Sequence, residues 1–142
     1  MKKNILSIVL LAATVMSCKK EDSKPDICGT DMLSIAGSYN TTAIKYKASS
    51  SAPEQDFFAT LEACEKDDIV KLNADGTANY QDAGTVCTPN GSYSGAWSVN
   101  GNSITINGTQ GTILLFDCRR LVVTATGALV PGDIFTVTYE KQ

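Results

Sequence analysis

The stretch Asp-Ile-Val-Lys-Leu-Asn-Ala-Asp-Gly-Thr at residues 68–77 decides the fold. Its first half alternates, so Val70 and Leu72 share one face of a predicted strand. Residues 73–76 then predict a turn, because Asn and Asp tolerate turn geometry and Gly supplies a positive φ. Residues 77–81 return as a second strand, so the segment predicts an antiparallel hairpin.

The same pattern of short alternating runs and Gly- or Asn-rich breaks continues on both sides of this hairpin. Further strands are predicted at residues 35–47, 92–99, 102–107, 111–117, 119–126 and 133–141. Asn100-Gly101 is a strong two-residue hairpin signal, and a bend is expected at Cys118. About eight short strands spaced by turns predict an all-β, up-and-down antiparallel barrel, with a β-sandwich as the alternative.

One segment departs from the strand pattern. Phe57, Phe58 and Leu61 lie in a stretch that predicts either a short helical turn or a lid across one barrel end.

An export signal is predicted over residues 1–17. Lys2 and Lys3 give it a positive start, and the apolar residues 5–16 are too few to span a hydrocarbon core of ~30 Å as a helix. The residues that lead into Cys18 resemble a bacterial lipobox, although an ordinary secreted protein is the alternative. The resemblance implies that Cys18 carries a diacylglycerol and further acyl chains such as palmitate. Each buried CH₂ contributes ~0.8 kcal/mol, so such an anchor is effectively permanent.

The chain is expected to divide into a signal peptide (1–17), a lipidated tether (18–30) and one β-barrel domain (31–142). The first tether residues are charged or polar and cannot bury surface. Lys19, rather than Asp, follows the lipid cysteine, which by resemblance to other diderm lipoproteins favours the outer membrane. The charged tether also resembles the surface-export signal of Bacteroidetes lipoproteins. We therefore expect an outer-membrane lipoprotein of the cell envelope, with exposure on the cell surface as one of two orientations.

Composition excludes several function classes. Removing Lys2 and Lys3 from the 12 basic residues leaves 10 against 15 acidic residues, a formal charge of −5, so nucleic acid is not an expected partner. The chain has no histidine, which removes the commonest general base and the commonest metal ligand. No enzyme activity and no cofactor are therefore predicted.

The four cysteines that follow Cys18 predict two disulfides, since an even number in an oxidising compartment favours pairing. Cys64 and Cys87 lie at similar distances on either side of the turn at 73–76, so they meet near the open end of one hairpin. This favours Cys64–Cys87 among the three possible connectivities, and by elimination Cys28 would then pair with Cys118.

Three motifs carry a family resemblance. Cys-Glu-Lys-Asp-Asp at 64–68, followed by an apolar strand and Asn-Ala-Asp-Gly-Thr at 73–77, resembles the core of lipocalin-like domains in Bacteroidetes surface lipoproteins. Gly-Ala-Trp-Ser-Val at 95–99 is similar to the family's G-x-W strand. Ile-Ala-Gly-Ser-Tyr at 35–39 is similar to its opening L-x-G-x-W, with Tyr39 where Trp is usual. The resemblance implies a ligand-binding cup, although a shared fold does not by itself confer a ligand.

Large aromatic side chains on strands are the candidate ligand-binding residues, and core packing explains them equally well. The candidates are Tyr39, Tyr93, Trp97, Phe116 and Tyr139. They suit an apolar or glycan ligand.

Two groups of charged residues do not predict a site. A calcium site would use the carboxylates of Asp67, Asp68, Asp75 and Asp82. They lack the spacing of a calcium loop, so no metal site is predicted. Arg119-Arg120 suits either an anionic ligand or a solvated strand end, and the strand end is favoured.

Two functions remain open at this stage. The first is a lipid-anchored, non-catalytic binding module with a small hydrophobic or amphipathic ligand in its barrel. The second is a structural or protein-interaction lipoprotein with an envelope protein partner and a barrel filled by its own side chains. An interior cavity favours the first, and an exposed apolar patch on a packed barrel favours the second.

Overall fold

The computed structural model describes residues 28–142, which form one antiparallel sheet and two short helices. The helices are α1 (Met32–Ile35) and α2 (Ala63–Lys66), and a 3₁₀ turn covers Phe58–Thr60. The strands are β1 (Gly37–Lys47), β2 (Gln55–Asp56), β3 (Ile69–Leu72), β4 (Thr77–Gln81), β5 (Tyr93–Asn100), β6 (Ser103–Ile106), β7 (Thr109–Phe116), β8 (Arg120–Thr126) and β9 (Ile134–Lys141).

The sheet closes because β1 pairs with two neighbours. Its first residues pair with β3, as in Tyr39 opposite Val70, and residues 39–47 pair with β9. A register shift between Thr41 and Ala43 bends β1 where it leaves β3. With β2 as a two-residue addition beside β1, eight strands form the ring in chain order. The predicted all-β, up-and-down barrel is confirmed, and the structure is not the alternative sandwich.

Tight turns join β3 to β4, β5 to β6, β6 to β7 and β7 to β8, as the turn residues predict. In the turn after β3, Asp75 accepts a hydrogen bond from the Thr77 amide at 2.9 Å, and Gly76 has a φ of 88°. The β6–β7 turn uses Asn107 at a φ of 49°, a left-handed value that Asn tolerates. Cys118 has a φ of 71°, so the predicted bend at this residue is a tight hairpin turn.

Local capping explains where the strand predictions were wrong. Ile35 was expected to begin the first strand, but it ends α1, because the Asp31 carboxylate accepts from the amides of Leu33 and Ser34 at 3.0 Å each. The prediction also lacked α2, which begins with a reciprocal capping box between Glu62 and Glu65. The short strand β2 was not predicted, whereas the expected helical turn near Phe58 is present.

Chain order defines two ends of the barrel. The lower end carries the turns at 73–76, 100–102 and 117–119, and the N-terminal segment 28–36 crosses it. The upper end carries the longer connections 48–68, 82–92 and 127–133, together with the β6–β7 turn.

The buried core lies mostly in the lower part of the barrel. Its fully or nearly fully buried side chains are Ile35, Tyr39, Val70, Leu72, Ala78, Trp97, Ile104, Ile113, Phe116, Leu121 and Val123. The Tyr39 hydroxyl donates to the carbonyl of Ile35, and Trp97 Nε1 donates to the carbonyl of Asn73 at 2.8 Å. These bonds tie α1 and the β3–β4 turn to the core, so the lower end is closed by packed side chains.

One disulfide lies at each end, with the predicted pairing. Cys28 and Cys118 join the N-terminal segment to the β7–β8 turn at the lower end, with 5.4 Å between Cα atoms. Cys64 and Cys87 join α2 to the β4–β5 connection at the upper end, with 5.3 Å between Cα atoms.

The predicted signal peptide and the lipid cysteine, Cys18, lie outside the described residues. Within residues 28–142, we find no helix with the length and apolar character needed to cross a membrane.

Candidate functional site

A cavity of about 330 Å³ occupies the upper half of the barrel. Its walls come from the inward faces of the strands and from three upper-end connections. The lining residues are Ile44, Phe57, Tyr80, Tyr93, Ile104, Ile106, Asn107, Thr109, Gly111, Val123, Ala125, Ala128, Leu129, Phe135, Val137 and Tyr139. This volume lies at the lower end of the range of about 300–1,000 Å³ found for small-molecule sites.

Small inward-facing residues create this space. Gly111 on β7 pairs with Ala125 on β8, and both positions face the barrel interior. A Cβ at Gly111 would lie 2.7 Å from Val123 Cγ1 and 2.8 Å from the backbone oxygen of Thr124, so a larger residue does not fit there without movement. Lower on β7, the inward positions carry Ile113 and Phe116, which fill the interior. The same strand therefore contributes packing below and space above.

Aromatic rings form much of the cavity wall. Tyr80 and Tyr93 are opposite each other across β4 and β5, and their rings stack with centroids 4.3 Å apart and an interplanar angle of 10°. Phe57, from the β1–β3 connection, meets Phe135 edge-on with centroids 5.7 Å apart. Flat rings on two sides of the cavity favour a ligand with an apolar, planar body.

Tyr139 forms the floor of the cavity. Its ring meets that of the core residue Tyr39 edge-on, with centroids 6.4 Å apart. Burial, together with the nearby Tyr93, raises the pKa of the Tyr139 hydroxyl to about 12, so this hydroxyl stays protonated. The hydroxyl lines the cavity near those of Tyr80 and Tyr93, and no fully enclosed polar side-chain atom of residues 28–142 lacks a hydrogen-bond partner. The Tyr139 hydroxyl is therefore open to the cavity as a donor.

The lining contains no Lys, Arg, Asp or Glu. Besides the tyrosine hydroxyls, its polar side chains are those of Asn107 and Thr109. The Asn107 carboxamide packs directly over Gly95, and a Cβ at residue 95 would collide with the carboxamide. Because Gly95 leaves this room, the amide lies against the barrel interior beside Tyr93. An uncharged lining offers no partner to an ionised ligand group, and burying such a group unpaired is costly.

Sequence comparison identifies the family. The model of the lipocalin-like domain matches residues 35–117, which run from the end of α1 through β7. The chain belongs to the lipocalin-like domain family. No curated protein and no solved structure matches the chain. The lipocalin-like fold is suited to ligand binding. Strands β8 and β9 lie after the matched segment and complete the barrel.

The lipocalin-like barrel brings together two of the five predicted ligand-binding aromatics. Tyr93 and Tyr139 line the cavity. Tyr39, Trp97 and Phe116 do not line it, because they lie lower in the barrel and are 1%, 3% and 8% exposed within the core. These three fit the core-packing alternative, because a position on a predicted strand does not report the height of a residue in the barrel.

Three aromatic residues of the lining were not among the predicted ligand-binding residues. Tyr80 alternates with the buried Ala78 on β4, and Phe135 alternates with Val137 and Tyr139 on β9. That alternation was the available signal for these two. Phe57 lies in an irregular connection, where no periodicity marks it.

The acidic residues near the upper end serve backbone hydrogen bonds. Asp82 accepts from the amides of Cys87 and Gly91, at 3.0 and 2.8 Å, and Asp67 accepts from the Thr85 amide at 2.9 Å. These bonds order the β4–β5 connection beside the cavity. The described part of the chain contains no group of three or more His, Cys, Asp or Glu side chains arranged to hold a metal ion.

Arg119 and Arg120 lie at the lower end, away from the cavity. Both are exposed, and Arg120 pairs with Asp117 at 3.4 Å. This position matches the solvated strand end that was favoured from the sequence.

Asp133 orders the connection between β8 and β9 at the rim. It is fully buried, and its carboxylate accepts from the amides of Ala128, Leu129 and Val130 at 2.9–3.0 Å. Burial alone would raise the pKa of this carboxyl, but the backbone amides outweigh it and hold the pKa below the ordinary value of 3.8. The connection presents Leu129, which is 67% exposed, beside the cavity.

Proposed function

We propose that this protein is a lipid-anchored, non-catalytic binding module that holds a small hydrophobic or amphipathic ligand in the upper half of its barrel. The observation that carries the proposal is the cavity of about 330 Å³ with an apolar, aromatic and uncharged lining. A barrel filled by its own side chains would leave no such space. Pockets of this kind, mostly apolar with a few convergent polar groups, are typical of small-molecule sites.

The anchor is proposed from the sequence motif at Cys18, and the fold supports a defined orientation. The described chain begins at Cys28, which the disulfide to Cys118 fixes to the lower end. Nine residues separate Cys18 from Cys28. At ~3.3–3.6 Å per extended residue they reach roughly 30 Å. A lipid on Cys18 would thus hold the closed lower end toward the membrane and the cavity end away from it, in the outer membrane of a Bacteroidetes-type envelope.

Filling the cavity tests the binding function. The Ala125→Phe substitution places a ring in the space beside Gly111, whereas Thr126→Phe adds the same ring to the adjacent, outward-facing position of β8. Native mass spectrometry of protein purified from its own host should show a bound small molecule in the wild type and in Thr126→Phe, but not in Ala125→Phe. A wild-type protein that is consistently bare would overturn the proposal.

Membrane fractionation tests the anchor separately. Cys18→Ala should move the protein from the membrane fraction to the soluble fraction, since the remaining tether has no apolar surface to insert. Retention of this variant in the membrane fraction would contradict lipid anchoring without affecting the cavity proposal.

A second candidate function is favoured by one surface feature. Leu114 and Leu115 lie next to each other on the outside of β7, 59% and 38% exposed, at the register shift between Ile113 and Leu115. Adjacent exposed leucines suit contact with an envelope protein. If the barrel proves bare in the host, a structural or interaction role through this surface becomes the better account.

A further inference from the structure

We propose that the cavity selects an uncharged, planar aromatic ligand that carries a hydrogen-bonding oxygen, such as a phenol or an aryl ketone. The inference rests on the proposed binding function and adds the chemical class of the ligand. It follows from three features of the lining: its flat aromatic walls, its lack of charge and its few polar groups.

The walls favour a flat body. The Tyr80–Tyr93 pair presents a continuous stacked face, and Phe57 with Phe135 presents an edge-on pair that also contacts Tyr46. Aromatic rings gain from offset stacking and edge contacts beyond the area they bury, and a saturated ring system of the same skeleton loses that gain.

The volume favours a compact ligand over an extended one. At about 330 Å³, the cavity is small for a binding site. The lower half of the barrel does not extend it, because Leu72, Trp97 and Leu121 are 3% exposed or less and fill the interior there. A long acyl chain would therefore have to leave through the upper end, so fused rings fit the space better.

The charge pattern disfavours an ionised group inside the cavity. None of the lining residues is charged, so a carboxylate or an ammonium group would be buried without a counter-ion. The acidic residues of the neighbouring connections are engaged by backbone amides, as with Asp67 and Asp82, and add negative potential that disfavours anions further.

Polar groups at the floor and at the rim of the cavity can form hydrogen bonds with the oxygen of the ligand. The Tyr139 hydroxyl is a donor at the floor, and the Asn107 carboxamide, held over Gly95, offers a donor and an acceptor at the rim. A hydroxyl donor that faces an otherwise apolar cavity favours a ligand that supplies an acceptor. A ligand oxygen bonded to Tyr139 would place its rings between the two aromatic walls.

Isothermal titration calorimetry with four matched probes tests the ligand class. The probes are 2-naphthol, naphthalene, decahydro-2-naphthol and 2-naphthoate, and the protein is the lipid-free chain 18–142 with Cys18→Ala. Relative to 2-naphthol, decahydro-2-naphthol should bind about 3- to 10-fold more weakly, because it cannot stack. The carboxylate 2-naphthoate should bind at least about 30-fold more weakly, because its charge finds no partner.

Two variants test the polar contacts. Tyr139→Phe should weaken 2-naphthol about 3- to 10-fold and leave naphthalene unchanged, since naphthalene has no oxygen to bond. Asn107→Gly keeps the left-handed turn, because glycine accepts a φ of 49°, and should likewise weaken 2-naphthol but not naphthalene. Naphthalene binding also shows that each variant remains folded.

The outcomes separate this inference from the binding function. Equal or tighter binding of decahydro-2-naphthol or 2-naphthoate would overturn the aromatic, uncharged ligand class while the barrel remained a binding module. Equal weakening of naphthalene and 2-naphthol by Tyr139→Phe would overturn the role of the hydroxyl. Binding of none of the four probes, together with a bare protein from the host, would overturn both proposals.

Discussion

The two ends of the barrel are built from the same eight strands but differ in how their interiors are filled. At the lower end, α1 crosses the opening, and Tyr39, Trp97 and Leu121 fill the interior. At the upper end, the inward residues of β7 and β8 shrink to Gly111 and Ala125, and a cavity takes the place of a core. The difference teaches that a packed core and an open cavity are separated along the barrel axis, each with its own disulfide.

Removal of a disulfide has the largest expected effect at either end. Cys28 and Cys118 are 90 residues apart, and Cys64 and Cys87 are 23 apart. Chain entropy predicts that replacing the lower pair by serine costs about 4.6 kcal/mol of unfolding free energy, and the upper pair about 3.4 kcal/mol. Urea unfolding of the two double variants measures both values. A larger cost for the upper pair would mean that the lower end is not the more strongly constrained one.

Truncating one aromatic at each end compares packing directly. Trp97→Ala removes a 3% exposed side chain and its hydrogen bond to Asn73, and should cost about 3–5 kcal/mol. Tyr93→Ala removes a ring that is 52% exposed, so only its stacking on Tyr80 is lost, at about 1 kcal/mol. Equal losses of unfolding free energy in urea would show that the upper half is packed as tightly as the lower.

Lys141 gives a smaller test of the lower closure. Its ammonium donates to the carbonyl of Ser34 at 3.1 Å and lies 5.7 Å from the centroid of the Tyr39 ring. Lys141→Met should lower the unfolding free energy by about 1 kcal/mol. The control Lys71→Met changes an exposed lysine on the outside of β3 and should have an effect within about 0.5 kcal/mol. Indistinguishable variants would show that Lys141 does not help to close the barrel.

Acid should loosen the upper rim around Asp133 before the barrel core. The pKa of Asp133 is depressed on folding, so its contribution to stability is complete above its ordinary value of 3.8 and is lost as the pH falls through its lower, folded-state value. In that range, the amide protection factors of Ala128 and Leu129 should fall, while that of Trp97, bonded to Gly76 at the lower end, should hold. Simultaneous loss at both ends would indicate global unfolding instead.

Much of the fold followed from local sequence patterns. Alternation of apolar residues located the strands, and Asn- and Gly-containing turns fixed their order, which led to the disulfide pairing. The helix α1 was missed because its start depends on the Asp31 cap, one polar residue in a stretch without helical periodicity.

The site was predicted less completely, for a physical reason. The candidates were chosen as large aromatic side chains on predicted strands, namely Tyr39, Tyr93, Trp97, Phe116 and Tyr139. Their height in the barrel depends on strand register and on the irregularities at 41–43 and 113–115, which arise only when the strands pair. The pairing of Gly111 with Ala125, which opens the cavity, depends on that register.

Nuclear magnetic resonance mapping of 2-naphthol binding tests the separation of the two ends most directly. Titration of the lipid-free chain should shift the signals of Tyr80, Ala125 and Tyr139 in a saturable manner and leave those of Leu72 and Leu121 unchanged. Saturable shifts centred on the lower-end residues, or shifts spread evenly over both ends, would contradict the account.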